Sequence, residues 1–235
     1  MNATLAPGAS LGRIAEIVRN AVRLGPDAWA DAPAGHRGES GDTRPRLLPT
    51  DGDVIDLFTL LARRELPYLL VGGVAMLRYV AGRNTEDIDL LMSLPSLRQL
   101  PELTLEEHTE FFVRARFRSV RADVLLTSNP LFAEVQKDFG TTHRFAELDI
   151  PTATPEGLML LKLYALPSLY RQGDFDRVAV YEADVASLLH RFRCPTQVLL
   201  ARLEAHMLAS NVRELRGILR DLEARLARFD QFPSS

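Results

Sequence analysis

The sequence predicts an α/β fold, with a mixed sheet and helices in the first half and helices alone in the second. Over residues 67–92, a short apolar strand, a Gly-Gly turn, a helix and a second strand follow one another. Over residues 110–126, apolar and polar residues alternate, which is typical of half-buried strands. From residue 155 onward, the apolar residues recur at helical spacing.

Composition excludes several classes of protein. The chain has 235 residues, 46% hydrophobic and 25% charged, and its net charge of -3 gives no indication of a nucleic-acid binder. The single cysteine, Cys194, excludes a disulfide framework and a multi-cysteine zinc site. No apolar run approaches the roughly 20 residues that span a bilayer, and the first residues do not resemble a secretion signal. We therefore expect no membrane association and a cytoplasmic location.

Three regions are expected along the chain. Residues 1–52 hold an amphipathic helix over 11–24 and a flexible linker rich in Gly, Pro, Ala and Asp. Residues 53–150 form the α/β core, and residues 151–235 form a helical domain.

In the core, a helix is expected from Asp53 to near Pro67, behind the capping candidates Thr50 and Asp51. A linker with Pro95 and Pro101 should separate the first two strands from the alternating segment. The other predicted core elements are strands at 67–71 and 87–92, a helix at 74–81 closed by Gly82, one bent or two short strands within 110–126, a helix at 131–138 and a strand at 144–150. The predicted helices of the last region are 155–166, 177–192, 195–208 and 210–229.

Two carboxylates begin the second strand. Asp87 and Asp89 are two residues apart, so their side chains should lie on one face while Ile88 points into the core. Adjacent carboxylates repel unless a cation lies between them, and hard oxygen ligands suit Mg²⁺ or Mn²⁺. The alternative is a solvated edge strand. Two other Asp-x-Asp pairs in the chain are explained by a helix cap and a polar loop.

Residues near Asp87 and Asp89 in the sequence are further candidates for a metal and phosphate site. Gly72 and Gly73 lie between a strand and a helix, where backbone N–H groups favour an anion such as a triphosphate. Asp123 interrupts an apolar strand and is a candidate third carboxylate. The alternative for Gly72 and Gly73 is an ordinary turn, and the alternative for Asp123 is a solvent-exposed side chain.

The helical half places two charges on apolar faces. Lys162 and Asp184 are predicted either to form a buried ion pair between two helices or to face a cleft. In a cleft, Lys162 would touch phosphate and Asp184 would orient a substrate or a neighbouring base.

Two segments resemble a known family. Residues 70–92, with Gly-Gly followed by Asp-x-Asp, resemble the first motif of the polymerase-beta-like nucleotidyltransferases. Residues 155–189 are similar to the helical part of the minimal, abortive-infection type branch, which includes toxins of bacterial toxin–antitoxin pairs. The resemblance covers roughly residues 53–193 and implies the small nucleotidyltransferase-type mixed sheet.

The resemblance implies a role for each matching residue. Gly72 and Gly73 would hold the nucleoside triphosphate, and Arg83 and Thr85 lie where side chains contact its phosphates. The remaining positions are Asp87, Asp89 and Asp123 as ligands of Mg²⁺ (or Mn²⁺), and Lys162 and Asp184 as the lysine and later aspartate of the toxin branch.

The implied reaction is attack by an acceptor hydroxyl on the α-phosphorus of a nucleoside triphosphate such as ATP, with pyrophosphate leaving. The expected acceptor is RNA, at the 3′ end of transfer RNA, or a protein, and a cognate antitoxin is the implied partner. Transfer to a small molecule such as an antibiotic is the alternative enzyme, and a non-catalytic binding protein is the alternative outside catalysis.

A possible acceptor surface lies in the alternating segment. Arg114, Arg116 and Arg118 are spaced at i, i+2 and i+4, so they would form one basic stripe facing an RNA backbone. The alternative is a solvated sheet face balanced by nearby acidic residues.

Overall fold

The computed structural model describes residues 9–24, 48–81 and 85–230, and it shows the expected mixed α/β fold. Residues 25–47 of the predicted linker lie outside the described residues, and the three-region division stays a prediction. Seven strands form one sheet: β1 (Tyr68–Leu70), β2 (Ile88–Met92), β3 (Thr104–His108), β4 (Phe112–Phe117), β5 (Val120–Leu126), β6 (Gly140–Arg144) and β7 (Asp149–Ala153).

The described helices alternate with the strands in the first part of the chain and follow one another without strands from residue 155 onward. They are α1 (Leu11–Leu24), α2 (Asp51–Arg63), α3 (Gly72–Met76), α4 (Leu94–Leu97), α5 (Pro130–Asp138), α6 (Pro155–Gln172), α7 (Phe175–Phe192), α8 (Thr196–Leu203) and α9 (Ala209–Asp230). Thr50 caps α2, as predicted, by accepting a hydrogen bond from the Asp53 N–H.

The sheet has the strand order β3-β4-β5-β2-β1-β7-β6. Strand β2 pairs antiparallel with β1 and parallel with β5, and β1 pairs parallel with β7. Because β2 lies between β1 and β5, the start of β2 is brought next to the end of β1 and the middle of β5.

Helix α6 connects the sheet to the helical half. It packs on β7, α3 and α5 on one side and on α7, α8 and α9 on the other. Its buried residues include Leu160, Leu163 and Leu166, which belong to the same apolar core as the central strands. A charged residue on the buried face of this helix therefore needs a partner within the protein interior.

Several boundaries differ from prediction. Helix α3 begins at Gly72 and ends at Met76, whereas it was expected over 74–81. The expected linker contains α4 and the edge strand β3, whose five residues are all exposed and so carry no apolar alternation. The strand predicted at 144–150 is instead the end of β6, a turn and the start of β7. Helix α6 continues past Pro167, because Leu169 is also buried, and it ends at Gly173 with φ of 70°.

Gly217 offers a simple stability test in α9. A Cβ added there meets no atom within 4 Å. Glycine in a helix interior is less favourable than alanine, so we expect Gly217→Ala to raise the free energy of unfolding by about 0.5–1 kcal/mol. Urea unfolding of the two proteins measures this, and a loss of stability would show that α9 is not an uninterrupted helix at this point.

Among the described residues, no helix combines the length and the apolar composition needed to cross a membrane.

Candidate active site

Three carboxylates, Asp87, Asp89 and Asp123, form what we call the carboxylate cluster. Asp89 on β2 is the direct cross-strand partner of Asp123 on β5, and Asp87 immediately precedes β2. Ile88 between them is fully buried, as the strand alternation predicts. Neighbouring strands lie about 4.8 Å apart, so this register places the Asp89 and Asp123 backbones side by side.

Asp89 is held by the backbone at the end of β1. Its carboxylate accepts a hydrogen bond of 3.2 Å from the Gly73 N–H, and its main-chain carbonyl accepts one of 3.0 Å from the Val71 N–H. Burial, and after it the charges of Asp87 and Asp123, raise the pKa of Asp89 to about 8. The hydrogen bond from Gly73 and the charge of Lys162 act in the opposite direction. Asp89 is therefore held in a buried position beside two other acidic side chains.

The two glycines make room for the residues that hold the cluster. Gly72 has φ of 61°, and a Cβ there would lie 1.8 Å from Asp89 Oδ2. A Cβ on Gly73 would lie 2.5 Å from the Thr85 Oγ1. Both positions thus require glycine whether or not a ligand binds. This reason differs from the predicted one, which was close approach of a phosphate.

Thr85 supports the turn that carries Asp87. It is buried, and its hydroxyl donates a hydrogen bond of 3.2 Å to the Asp87 main-chain carbonyl. The predicted phosphate contact of Thr85 stays a prediction, and Arg83 lies outside the described residues.

Two arginines pair with the carboxylate cluster. Arg121 on β5 places Nη2 2.8 Å from Asp87 Oδ2. Arg114 on β4, the cross-strand neighbour of Asp123, places Nε 3.2 Å from Asp123 Oδ1. The contact of Arg121 with Asp87 was not predicted from the sequence. Its position two residues before Asp123, on the same face of one strand, is the pattern that would have identified it.

The proposed basic stripe is neutralised and shorter than expected. Arg118 lies in the turn after β4, with φ of 53°, so it is not on the strand face. The three arginines pair with acidic residues: Arg114 with Glu107 and Asp123, Arg116 with Glu106, and Arg118 with Asp53 and Asp56. These pairs match the alternative of a balanced sheet face.

Lys162 and Asp184 form an ion pair between α6 and α7. Each is about 5% exposed, and Lys162 Nζ lies 2.7 Å from Asp184 Oδ2. The ammonium also lies 4.3 Å from the centre of the Tyr181 ring. The buried pair, one of the two predicted alternatives, is therefore present. The charge of Lys162 also lowers the pKa of Asp89.

Breaking this pair should be costly. Lys162→Met leaves the Asp184 carboxylate buried beside an apolar side chain, and removal of one partner of a buried ion pair costs about 3 kcal/mol. We expect urea unfolding to show that loss, and to show recovery of most of it in Lys162→Met/Asp184→Leu. Lys137→Met is the matched control, because Lys137 is exposed. Equal effects at both lysines would contradict the assignment.

The carboxylate cluster fits a hard divalent cation by its chemistry and charge. Asp87 and Asp89 could supply oxygen ligands. A bound cation would oppose both the burial and the neighbouring charges that raise the pKa of Asp89. Within the described residues, no three His, Cys, Asp or Glu side chains are arranged as a ready-made metal-ligand set. Asp87 and Asp123 point to arginines instead.

No family model and no curated protein matches the sequence significantly. Several solved structures show partial similarity. One is an antigenic nucleotidyltransferase-like protein from Paracoccidioides brasiliensis, at 18% identity and a TM-score of 0.43 over 68% of this chain and 89% of that one. Another is the solution structure of the antibiotic-resistance factor ANT(2'')-Ia, at 15% identity and a TM-score of 0.45 over 77% and 96%.

A third similar structure is the crystal structure of ANT(2'')-Ia in complex with adenylyl-2''-tobramycin. It has 14% identity and a TM-score of 0.43 over 71% of this chain and 97% of that one. At these TM-scores and identities, the similarity establishes neither a family nor an activity for the chain.

Proposed function

We propose that the chain is a divalent-metal-dependent nucleotidyltransferase. It would transfer a nucleoside monophosphate from a nucleoside triphosphate to an acceptor hydroxyl, with pyrophosphate leaving. The observation that carries this proposal is the carboxylate cluster, in which Asp89 and Asp123 are direct cross-strand partners and Asp89 is fastened to the Gly73 backbone. Three carboxylates brought together beside a Gly-Gly turn are the kind of group that binds a divalent cation and phosphate, which supports the proposal.

Asp87, Asp89 and Asp123 would hold Mg²⁺ or Mn²⁺, which when bound would neutralise the charge that develops on the phosphates. The Gly73 N–H and the Thr85 hydroxyl hold the Asp89 carboxylate and the Asp87 backbone in position. Asp123 would accept the proton of the acceptor hydroxyl. The triphosphate would bind at Gly72 and Gly73, and the family resemblance assigns Arg83 and Thr85 as further phosphate contacts.

Lys162 and Asp184 would complete the site from the helical half. Lys162 would add positive charge near the phosphates, and Asp184 fixes its ammonium. Both residues are about 5% exposed. They would therefore act on the site through their charge and their position in the protein interior. The toxin-like assignment, with an antitoxin partner, is supported by the match of this pair to the toxin branch.

The acceptor is expected to be the 3′ end of transfer RNA or a protein side chain, and a small molecule such as an antibiotic is the alternative. The paired state of Arg114, Arg116 and Arg118 removes the basic stripe as support for an RNA track. Transfer assays with all three acceptor classes distinguish these acceptors.

A thermal-shift experiment tests nucleotide binding. We expect a nucleoside triphosphate to raise the melting temperature only when Mg²⁺ or Mn²⁺ is present, and we expect Asp87→Ala to lose that shift. Asp56→Ala is the control, because it removes an exposed carboxylate from α2. A full shift in Asp87→Ala would contradict the metal site, and a shift without transfer to any acceptor would favour the non-catalytic alternative.

A further inference from the structure

Arg121 lies on the same face of β5 as Asp123, because the two are separated by one residue. Its guanidinium contacts Asp87 through Nη2, and its side chain is 32% exposed, compared with 21% for Asp87. Arg121 therefore lies at the edge of the carboxylate cluster and can be reached from outside the protein.

This arginine is poorly suited to a purely structural role. Its direct cross-strand partner on β4 is Arg116, and like charges in that relation destabilise a sheet. Its Nε is buried, and no acceptor for it is found among the described residues. A buried donor without an acceptor costs free energy. The present contacts thus use only part of the hydrogen-bonding capacity of the guanidinium.

The Nε donor of Arg121 lies where it could bind an anion together with Nη2. Nε and Nη2 lie on the same edge of a guanidinium, so together they match two oxygens of a carboxylate or a phosphate. In the structure, only Nη2 contacts Asp87. If Asp87 turned toward a divalent cation, both donors on this edge would become available to an anion.

We propose that Arg121 is a phosphate-binding residue of the site, and that Asp87 holds it in place until the triphosphate enters. This inference rests on the proposed function. Before the substrate binds, the Asp87 carboxylate occupies the edge that the phosphate later takes. The ion pair between Asp87 and Arg121 would then be replaced by two interactions: Asp87 would help to hold a divalent cation, and Arg121 would bind phosphate oxygens.

Titration calorimetry with inorganic tripolyphosphate tests the inference without requiring turnover or a known base. With Mg²⁺ in excess, we expect Arg121→Gln to weaken tripolyphosphate binding by about tenfold to a hundredfold, as for loss of charge-assisted hydrogen bonds. Arg121→Lys keeps the positive charge but lacks the paired donors of the guanidinium, so it should lose less affinity for tripolyphosphate than Arg121→Gln. Arg116→Gln is the matched control, because Arg116 has similar exposure and pairs with Glu106. It should bind within twofold of wild type.

A metal-free titration tests the holding role of Asp87. In EDTA, Asp87→Asn should bind tripolyphosphate more tightly than wild type, and the gain should be absent in Asp87→Asn/Arg121→Gln. Equal binding by wild type and Arg121→Gln, or an equal loss in Arg116→Gln, would overturn the inference. If wild type and Arg121→Gln bind equally but Asp87→Ala loses binding with Mg²⁺, only the inference about Arg121 fails and the proposed function stands. Absence of binding by wild type with Mg²⁺ would overturn both.

Discussion

Asp89→Asn is expected to lower the rate of nucleotidyl transfer by about a hundredfold to a thousandfold, since it removes one charged group of a preorganised site. The amide oxygen of asparagine can still accept the hydrogen bond from the Gly73 N–H, so the local fold should be kept. Single-turnover assays at saturating Mg²⁺ measure the loss. A variant that keeps wild-type rates would show that Asp89 is not part of the reaction centre.

The same substitution should stabilise the metal-free protein at alkaline pH. The pKa of Asp89 is raised to about 8 in the folded state, whereas an unfolded aspartate has a value near 3.9. The folded state therefore holds a proton that the unfolded state releases, and stability falls as pH rises from about 4 to about 8. Asparagine has no such proton, so this part of the pH dependence should disappear.

Urea unfolding in EDTA at pH 5 and pH 8 measures the difference. We expect Asp89→Asn to be more stable than wild type at pH 8 by roughly 1–3 kcal/mol, and the gain to shrink toward pH 5. Added Mg²⁺ should stabilise wild type at pH 8 and leave the variant unchanged. Asp221→Asn is the control, because Asp221 is exposed on α9. A gain that is independent of pH would contradict the assigned cause.

Gly72→Ala is expected to have the largest effect on stability, a loss of about 4 kcal/mol. Part of the cost comes from a φ of 61° that alanine rarely adopts, and part from the overlap of its Cβ with Asp89. Relief of the overlap requires Asp89 to leave its position, so transfer activity should be lost as well. Urea unfolding and single-turnover assays measure the two effects.

Gly217→Ala is the matched control for Gly72→Ala, because the same methyl group is added where space is open. We expect opposite signs for the two changes in the free energy of unfolding. A neutral effect at Gly72 would show that the turn between β1 and α3 adjusts freely, and the close contact between Gly72 and Asp89 would then not define the site.

The parts of the site that follow from local spacing were predicted from the sequence. The buried pair of Lys162 with Asp184 is one of the two alternatives that the sequence left open. The same-face arrangement of Asp87 and Asp89 stays a prediction, because Asp87 lies just before β2. The arginine contacts were not predicted, because they depend on which strands become neighbours. Strand β5 pairs with β2 although β3 and β4 lie between them in sequence, and that pairing brings Arg121 to Asp87.

The exposed edge strands were also not predicted from the sequence. Strand β3 has no buried residue, so the apolar alternation that identifies a strand is absent from its sequence. Strand β6 is a second exposed edge with the composition of a polar loop. Tertiary pairing, rather than a local pattern, holds both strands.

Label transfer tests the central claim most directly. The full chain is incubated with Mg²⁺ and each α-labelled nucleoside triphosphate in turn, together with total transfer RNA, a protein mixture or an aminoglycoside antibiotic. Asp87→Ala/Asp89→Ala is the control. We expect label to enter one acceptor class with wild type alone and with one preferred base. Equal labelling by the double variant, or absence of transfer to all three classes, would contradict the assignment of the carboxylate cluster as a nucleotidyltransferase centre.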